Sequence, residues 1–151
     1  MYAGIDLGAN FGFAVLDEGG NRLYSATTHL KKRTAKSLAR FQQTLYDFFE
    51  TWGVIVIGYE AVKQHHKSRA AACAYGSYEG ILLASAFTAE LEVVPVGVWD
   101  IKRMTGIPKP QKIDMEAYVK RRHNYITADD NEADALMIAE FARLKFIRGA
   151  A

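Results

Sequence analysis

The sequence predicts an α/β fold, built as one mixed sheet of five strands with helices on both faces. Three short β-compatible runs joined by tight turns open the chain, which indicates an antiparallel meander. Segments with helical periodicity then alternate with apolar strands, a pattern typical of a sheet that helices cover. The chain has 151 residues, half of them hydrophobic. This size suits a single domain over residues 1–151.

The opening meander is predicted at residues 2–7, 11–16 and 22–28. The letters GAN at 8–10 form the turn between its first two strands. The letters EGGN at 18–21 are a hairpin signal between the second and third strands, because glycine and asparagine adopt the backbone angles of tight turns.

The remaining elements are predicted from caps, periodicity and apolar runs. Thr34 is a suitable N-cap for a helix that reaches Trp52, and Gly53 is a suitable stop. A continuous apolar run at 54–59 indicates a strand covered on both faces. The later elements are a helix at 68–88, a strand at 93–96, and helices at 113–122 and 131–143.

The composition excludes several classes of protein. No apolar run approaches the roughly 18–20 residues that a membrane span needs. The N-terminus lacks a basic segment followed by an apolar stretch, so no signal peptide is predicted. Cys73 is the single cysteine, which excludes an internal disulfide and a Cys-based zinc site. A cytoplasmic, reducing setting is therefore the expectation.

Basic residues are grouped, although the net charge is only +2. One cluster lies at 31–40 without any acid, a second at 63–69 and a third at 102–122. Each cluster alone is compatible with an ordinary solvated face, but three in a small domain favour a polyanionic partner. The residues expected to contact nucleic acid are Lys31, Lys32, Arg33, Lys63, Lys67, Arg69, Lys102, Arg103 and Lys112.

Three carboxylates occupy unusual places in this order of elements, which matches the ribonuclease H-like fold. Asp6 lies inside an apolar strand, Glu60 ends another, and Asp134 lies near the start of the last helix. A surface glutamate after a strand and an acid at a helix N-terminus each have ordinary explanations. In a sheet ordered 3-2-1-4, however, the first strand neighbours the fourth. The last helix would then pack on both, and the three acids would converge.

Converging carboxylates predict a metal site. Buried like charges repel one another, and burial disfavours each of them. Mg²⁺ prefers oxygen ligands and offsets this cost. Two such ions about 4 Å apart can activate a water and stabilise the leaving oxygen of a phosphodiester. The expected cofactor is therefore Mg²⁺, with Mn²⁺ as a substitute, in a nuclease whose basic clusters hold the nucleic-acid backbone.

Five segments resemble motifs of the RuvC family of Holliday-junction resolvases, and its bacteriophage branch most closely. In chain order they read GIDLGANFGFAVLD, VIVIGYEAV, AYGSYEGILLASA, VPVGVWDIKRMTG and NEADALMIAEFA. The resemblance spans nearly the whole chain. It implies a homodimeric endonuclease that nicks four-way junctions or related branched DNA.

By motif position, the resemblance implies that Asp6, Glu60 and Asp134 are catalytic metal ligands. It also places Lys102 and Lys112 where the family has basic residues near the site. The stretch GIPKPQK replaces the family's glycine-rich segment before Lys112, so a phosphate contact is less firmly implied there.

The fourth ligand departs from the family pattern. The family carries an acid or histidine three residues before the last ligand, where this chain has Asn131. An amide oxygen can bind Mg²⁺ but brings no charge. Asp130 and Glu132 are the competing positions. On a helix, positions 130 and 131 share a face with Asp134 whereas 132 points elsewhere, and motif position favours Asn131.

A flat helix face offers separate support for a dimer. Gly76, Gly80 and Ala84 recur every four residues, which permits close packing of two helices. Packing of this face against the chain's own sheet is the alternative. Three nearby aromatic residues could anchor an interface or fill the core: Tyr75, Tyr78 and Phe87.

Three other functions compete with junction cleavage. An ATP-binding protein of the actin or chaperone type shares the GIDLGAN motif, but 151 residues leave no room for its second domain. A YqgF-type nuclease that processes ribosomal RNA has a similar length and fold. A non-catalytic nucleic-acid-binding dimer is the third alternative, and the presence of Asp6, Glu60 and Asp134 argues against it.

Overall fold

The computed structural model describes residues 1–7, 10–29, 34–62 and 68–149. Its strands form one sheet in the order β3-β2-β1-β4-β5. The first three strands pair antiparallel, whereas β4 pairs parallel to both β1 and β5. This arrangement confirms the predicted mixed five-stranded sheet. The strands are β1 (Tyr2–Leu7), β2 (Asn10–Leu16), β3 (Arg22–His29), β4 (Val56–Glu60) and β5 (Glu92–Val96).

Five helices accompany the sheet in the described part of the chain. They are α1 (Ala35–Trp52), α2 (Arg69–Thr88), α3 (Val98–Met104), α4 (Lys112–His123) and α5 (Asp130–Gly149). The Thr34 side chain caps α1, and Gly53 ends it with a φ of 55°, as the sequence predicted. None of the described helices is both long and apolar enough to span a bilayer.

Two helical features differ from the sequence-based prediction. The helix α3 was not predicted, because seven residues are too few to display helical periodicity. Its start is stabilised by the Asp100 carboxylate, which accepts a hydrogen bond from the Gly97 backbone N–H at 3.0 Å. The last helix continues to Gly149 rather than ending near Arg143.

The helices cover both faces of the sheet, and each face has its own core. On one face, α1 and α2 bury aromatic and aliphatic residues such as Phe11, Phe41 and Tyr78. On the other face, α5 packs with α3 and α4 in a core that includes Leu136 and Ile101. Because side chains alternate along a strand, the even-numbered residues of β1 face α5. Asp6 is therefore on the α5 side of the sheet.

Three glycines let α5 approach the sheet closely. They are Gly4 in β1, Gly12 in β2 and Gly58 in β4. A Cβ atom at any of them would lie less than 3.0 Å from an atom of α5. Such contacts are far shorter than van der Waals packing allows, so a side chain at these positions would push the helix away. The three glycines thereby determine the height of α5 above the sheet.

Candidate active site

Asp6 and Glu60 meet on the α5 face of the sheet, where β1 and β4 run parallel. Ile5 is the register partner of Tyr59, which makes the next residues along each strand neighbours. The two carboxyl groups are close enough that each perturbs the pKa of the other. Asp6 is only 6% exposed. Two acids this close cannot both stay ionised without a compensating cation.

Asp134 reaches the same place from the first turns of α5. Its carboxyl group interacts electrostatically with both Asp6 and Glu60. Three carboxylates from distant parts of the chain thus lie close enough to influence one another's ionisation.

Side-chain hydrogen bonds tie the start of α5 to β3. The Asp129 carboxylate accepts hydrogen bonds from the Thr27 hydroxyl at 2.7 Å and from the Glu132 backbone N–H at 2.9 Å. The second of these bonds caps the helix. The cap and the strand contact together restrict where Asp134 can lie relative to Asp6.

Glu132 adds a second attachment to β3. Its carboxylate is 1% exposed and accepts hydrogen bonds from the Ser25 hydroxyl at 2.5 Å and the Tyr125 hydroxyl at 3.0 Å. The Ala128 backbone N–H donates a third bond at 2.6 Å. Glu132 therefore anchors α5 and is committed to partners outside the carboxylate cluster, as its position on the helix predicted.

Burial and mutual repulsion raise the pKa values of the three clustered acids. The pKa of Asp6 is raised to about 8, chiefly by burial and then by the charges of Glu60 and Asp134. The pKa of Asp134 is raised to about 7, again chiefly by burial, with contributions from Glu60 and Asp130. Burial also raises the pKa of Glu60. Acids that resist ionisation in this way form a site that would gain from a bound cation.

The structure distinguishes the two candidates for the fourth ligand. The Asp130 carboxylate contributes to the raised pKa values of both Asp6 and Asp134, so it lies near them. It also forms an ion pair with Lys112. The Asn131 side chain instead acts on the Asp129 carboxylate, whose pKa it helps to lower. Position 130 thus offers a charged oxygen that acts on the acids, whereas the family motif points to position 131.

Two of the predicted basic residues lie beside the acids. The positive charges of Lys112 and Lys102 both act to lower the pKa of Asp134, although burial and the neighbouring acids outweigh them. Arg103 is exposed and pairs with Asp100 at 3.2 Å. Arg69 is exposed at the start of α2. The turn at 8–9 lies outside the described residues. So do the other predicted nucleic-acid contacts, which are Lys31, Lys32, Arg33, Lys63 and Lys67.

The donor set fits a hard divalent cation. Across residues 1–7, 10–29, 34–62 and 68–149, no three His, Cys, Asp or Glu side chains are gathered tightly enough to ligate an ion as they stand. Asp6, Glu60 and Asp134 supply only carboxylate oxygens, which are the ligands that Mg²⁺ and Mn²⁺ prefer.

Sequence reasoning missed the residues that support the acids. The Tyr75 hydroxyl donates a hydrogen bond to the Glu60 carbonyl oxygen at 2.5 Å and accepts one from the Val62 backbone N–H at 3.2 Å. Tyr75 therefore steadies the end of β4. The sequence did contain a signal for the contacts between β3 and α5. Ser25 and Thr27 are polar and separated by one residue, so their side chains lie on the same face of β3.

The flat face of α2 is exposed rather than packed on the sheet. Gly76, Gly80 and Ala84 are all exposed, and a Cβ atom at either glycine would meet nothing within 4 Å. The alternative that this face covers the chain's own sheet is therefore wrong. Tyr78 is buried in the core, whereas Phe87 is 85% exposed.

Comparison with known proteins rests on structure alone. No family model matches the chain, and no curated protein matches it by sequence. A Thermus thermophilus RuvC in complex with a Holliday junction substrate superposes with a TM-score of 0.85 at 19% identity, covering 99% of this chain and 96% of that chain. A second Thermus thermophilus RuvC structure has a TM-score of 0.80 at 19% identity, covering 97% and 95%.

A eukaryotic structure extends the likeness. The yeast mitochondrial Holliday junction resolvase Ydc2 has a TM-score of 0.65 at 17% identity, covering 98% of this chain and 81% of that chain. At such identities the likeness is one of architecture, and it extends over nearly all of the present chain. The predicted ribonuclease H-like arrangement is confirmed, and the chain has the fold of the RuvC resolvases.

Proposed function

We propose that the protein is a metal-dependent, structure-selective endonuclease that nicks four-way junctions or related branched DNA. One observation carries the proposal: Asp6, Glu60 and Asp134 converge from β1, β4 and α5 on a sheet with the RuvC fold. The site has no other evident use for one buried and two half-buried acids, since they destabilise one another when no cation is present.

The chemistry follows from the donor set. Asp6, Glu60 and Asp134 would hold Mg²⁺ or Mn²⁺, which when bound activates a water and stabilises charge on a phosphodiester. Lys102 and Lys112 stand beside the acids and would hold the scissile strand through its phosphates. The three acids would position the ions, and the buried floor of the site would restrict access of bulk water.

The choice of substrate follows from the similar proteins and from the exposed helix α2. The similar proteins include two described as acting on Holliday junctions, which favours branched DNA. The exposed face of α2 favours a homodimer, which would present two sites to the two strands of a symmetric junction. Kinship with the bacteriophage branch rests on sequence motifs and stays a prediction.

The test is cleavage of a synthetic mobile junction with and without metal. We expect Mg²⁺ or Mn²⁺ to support nicking and EDTA to abolish it. Asp6→Asn should lose cleavage but keep junction binding, because the neutral amide weakens metal binding while the phosphate contacts come from basic residues. Glu50→Gln, an exposed carboxylate on α1, is the matched control and should cut normally.

Three results would redirect the proposal. Undiminished cleavage in EDTA would remove the metal from the mechanism. Cleavage of precursor RNA in preference to junctions and replication forks would favour a YqgF-type RNA-processing nuclease instead. Tight binding of junctions without cleavage under any metal condition would favour a non-catalytic binding dimer.

A further inference from the structure

A large exposed aromatic residue lies beside the carboxylate site. Trp99 is in the first turn of α3 and is 60% exposed. The helix begins where β5 ends, and Val96, the last residue of β5, is the register partner of Glu60. The Ala61 backbone N–H also donates to the Val96 carbonyl oxygen at 2.9 Å. Trp99 thus lies three residues after Val96, which pairs with the predicted metal ligand Glu60.

The packing of α3 directs Trp99 away from the core. Ile101, on the opposite side of α3, is 2% exposed and packs into the core beneath α5. The Asp100 carboxylate accepts a hydrogen bond from the Gly97 backbone N–H. These contacts anchor α3 on the sheet while its tryptophan faces outward.

Positive charge surrounds the ring. The Lys102 ammonium lies 5.2 Å from the centroid of the Trp99 ring, in cation–π contact. Arg103 donates to the Trp99 carbonyl oxygen at 3.1 Å, and its side chain is 74% exposed. Lys102 is also close enough to Asp134 to influence its ionisation. One lysine therefore connects the aromatic ring with the carboxylate site.

We propose that Trp99 is a base-stacking residue, which packs against an unpaired or unstacked nucleobase of the DNA held at the carboxylate site. An apolar protein partner would have to cover the adjacent cations, whereas nucleic acid presents both an aromatic face and phosphates. Bases inside a continuous duplex are already covered by their neighbours. The ring would therefore recognise branch points and not ordinary duplex.

This inference rests on the proposed function, because it assigns Trp99 to recognition of that enzyme's substrate. It adds a specificity residue that the acids and lysines do not provide, since phosphate contacts are the same in branched and linear DNA. Stacking on an aromatic side chain typically changes affinity by about tenfold per base.

The two tryptophans of the chain allow a direct test. Trp52 stacks on Tyr24 at a centroid distance of 5.4 Å, on the α1 side of the sheet. Trp52→Phe leaves Trp99 as the single tryptophan, and Trp99→Phe leaves Trp52. Each protein is titrated in EDTA, so that DNA stays intact, with a junction and with a linear duplex of equal length. Anisotropy of dye-labelled DNA reports binding independently of tryptophan emission.

We expect the junction to quench Trp99 emission and to leave Trp52 emission unchanged. The linear duplex should quench Trp99 much less at equal occupancy. Trp99→Ala should weaken junction binding about tenfold and duplex binding less than about twofold, and Trp99→Phe should retain most of the affinity. Trp99→Leu, which keeps apolar bulk without an aromatic face, should behave like Trp99→Ala.

Contrary results separate the two proposals. Junction binding with Trp99 emission unchanged, or an equal loss on junction and duplex in Trp99→Ala, would overturn the stacking role and leave the nuclease standing. Absence of binding to any DNA in the anisotropy measurement would overturn both. Because Trp99 is exposed, its variants should melt within a few degrees of the parent protein. The emission measurement does not depend on these variants, because it uses the native Trp99.

Discussion

Gly12 lies directly beneath Asn131, and any side chain at position 12 would collide with the Asn131 carbonyl oxygen. Gly12 is also the register partner of Asp6 across β1 and β2. The missing side chain therefore allows the first turn of α5, which carries Asp134, to settle beside Asp6. The position of Asp134 relative to Asp6 therefore depends on the close contact between Gly12 and Asn131.

Gly12→Ala should accordingly damage both stability and activity. The added methyl group cannot be accommodated without lifting α5, and overpacking of this kind costs about 1–3 kcal/mol. We expect a lower urea midpoint and a large loss of junction cleavage, because Asp134 would move away from Asp6. Equilibrium unfolding and a cleavage assay at saturating Mg²⁺ measure the two effects.

Gly149→Ala is the matched control. A Cβ atom at Gly149, in the last turn of α5, meets nothing within 4 Å, and alanine favours helix by up to about 1 kcal/mol over glycine. Stability should therefore stay level or rise. A Gly12→Ala protein as stable and active as Gly149→Ala would contradict the close approach of α5 to the sheet.

The raised pKa of Asp6 predicts how the metal-free protein responds to pH. Burial, Glu60 and Asp134 raise this pKa from 3.8 to about 8. Between those values the folded protein retains a proton that the unfolded chain has released, so stability falls as pH rises from about 4 to about 8. Asp6→Asn removes this titration. In EDTA it should raise the melting temperature relative to the wild type, by roughly 5 °C at pH 8 and by less at pH 5.

Added Mg²⁺ should reverse the order. A cation that binds only the folded protein stabilises the wild type and not Asp6→Asn, so the wild type should melt at the higher temperature. Differential scanning calorimetry at pH 5 and pH 8 gives all the comparisons. A stabilisation by Asp6→Asn that does not grow between pH 5 and pH 8 would mean that Asp6 is ionised in the folded protein without a metal.

The fourth ligand can be identified by metal titration. Because the Asp130 carboxylate lies near the acids, Asp130→Asn should raise the Mg²⁺ concentration for half-maximal cleavage about tenfold. Asp134→Asn should be more damaging still. Asn131→Ala should be close to wild type, since the lost amide carries no charge.

The opposite ranking would support the family motif. If Asn131→Ala is as inactive as Asp134→Asn while Asp130→Asn cuts normally, the amide at position 131 is the ligand. Asn131→Asp should then lower the Mg²⁺ requirement, because a carboxylate binds the ion more tightly than an amide does.

The exposed face of α2 predicts a homodimer that one substitution can disrupt. Gly80 lies in the middle of this face, so Gly80→Leu should separate the subunits and impair paired nicking of a junction. Thr51→Leu places the same leucine side chain at an exposed position of α1 and should leave the assembly unchanged. Light scattering reports the mass. A wild-type monomer at high concentration with cleavage intact would refute the dimer.

The sequence by itself determined the strands, most of the helices and the positions of the three acids along the chain. The apolar run around Asp6 marked β1 as a buried strand, and the run before Glu60 marked β4 as another. These are local signals, because each depends on residues within one element and on the period of that element. The order of elements then indicated which strands would be neighbours.

Only the tertiary structure decided how those elements meet. Ser25 and Glu132 are 107 positions apart, and their hydrogen bond exists because β3 and α5 pack together. Whether the α2 face is covered, and which of positions 130 and 131 reaches the acids, also depend on packing. Such contacts depend on how closely a helix can approach the sheet, which a missing side chain such as that of Gly12 determines. The periodicity of the sequence carries no information about the distance between helix and sheet.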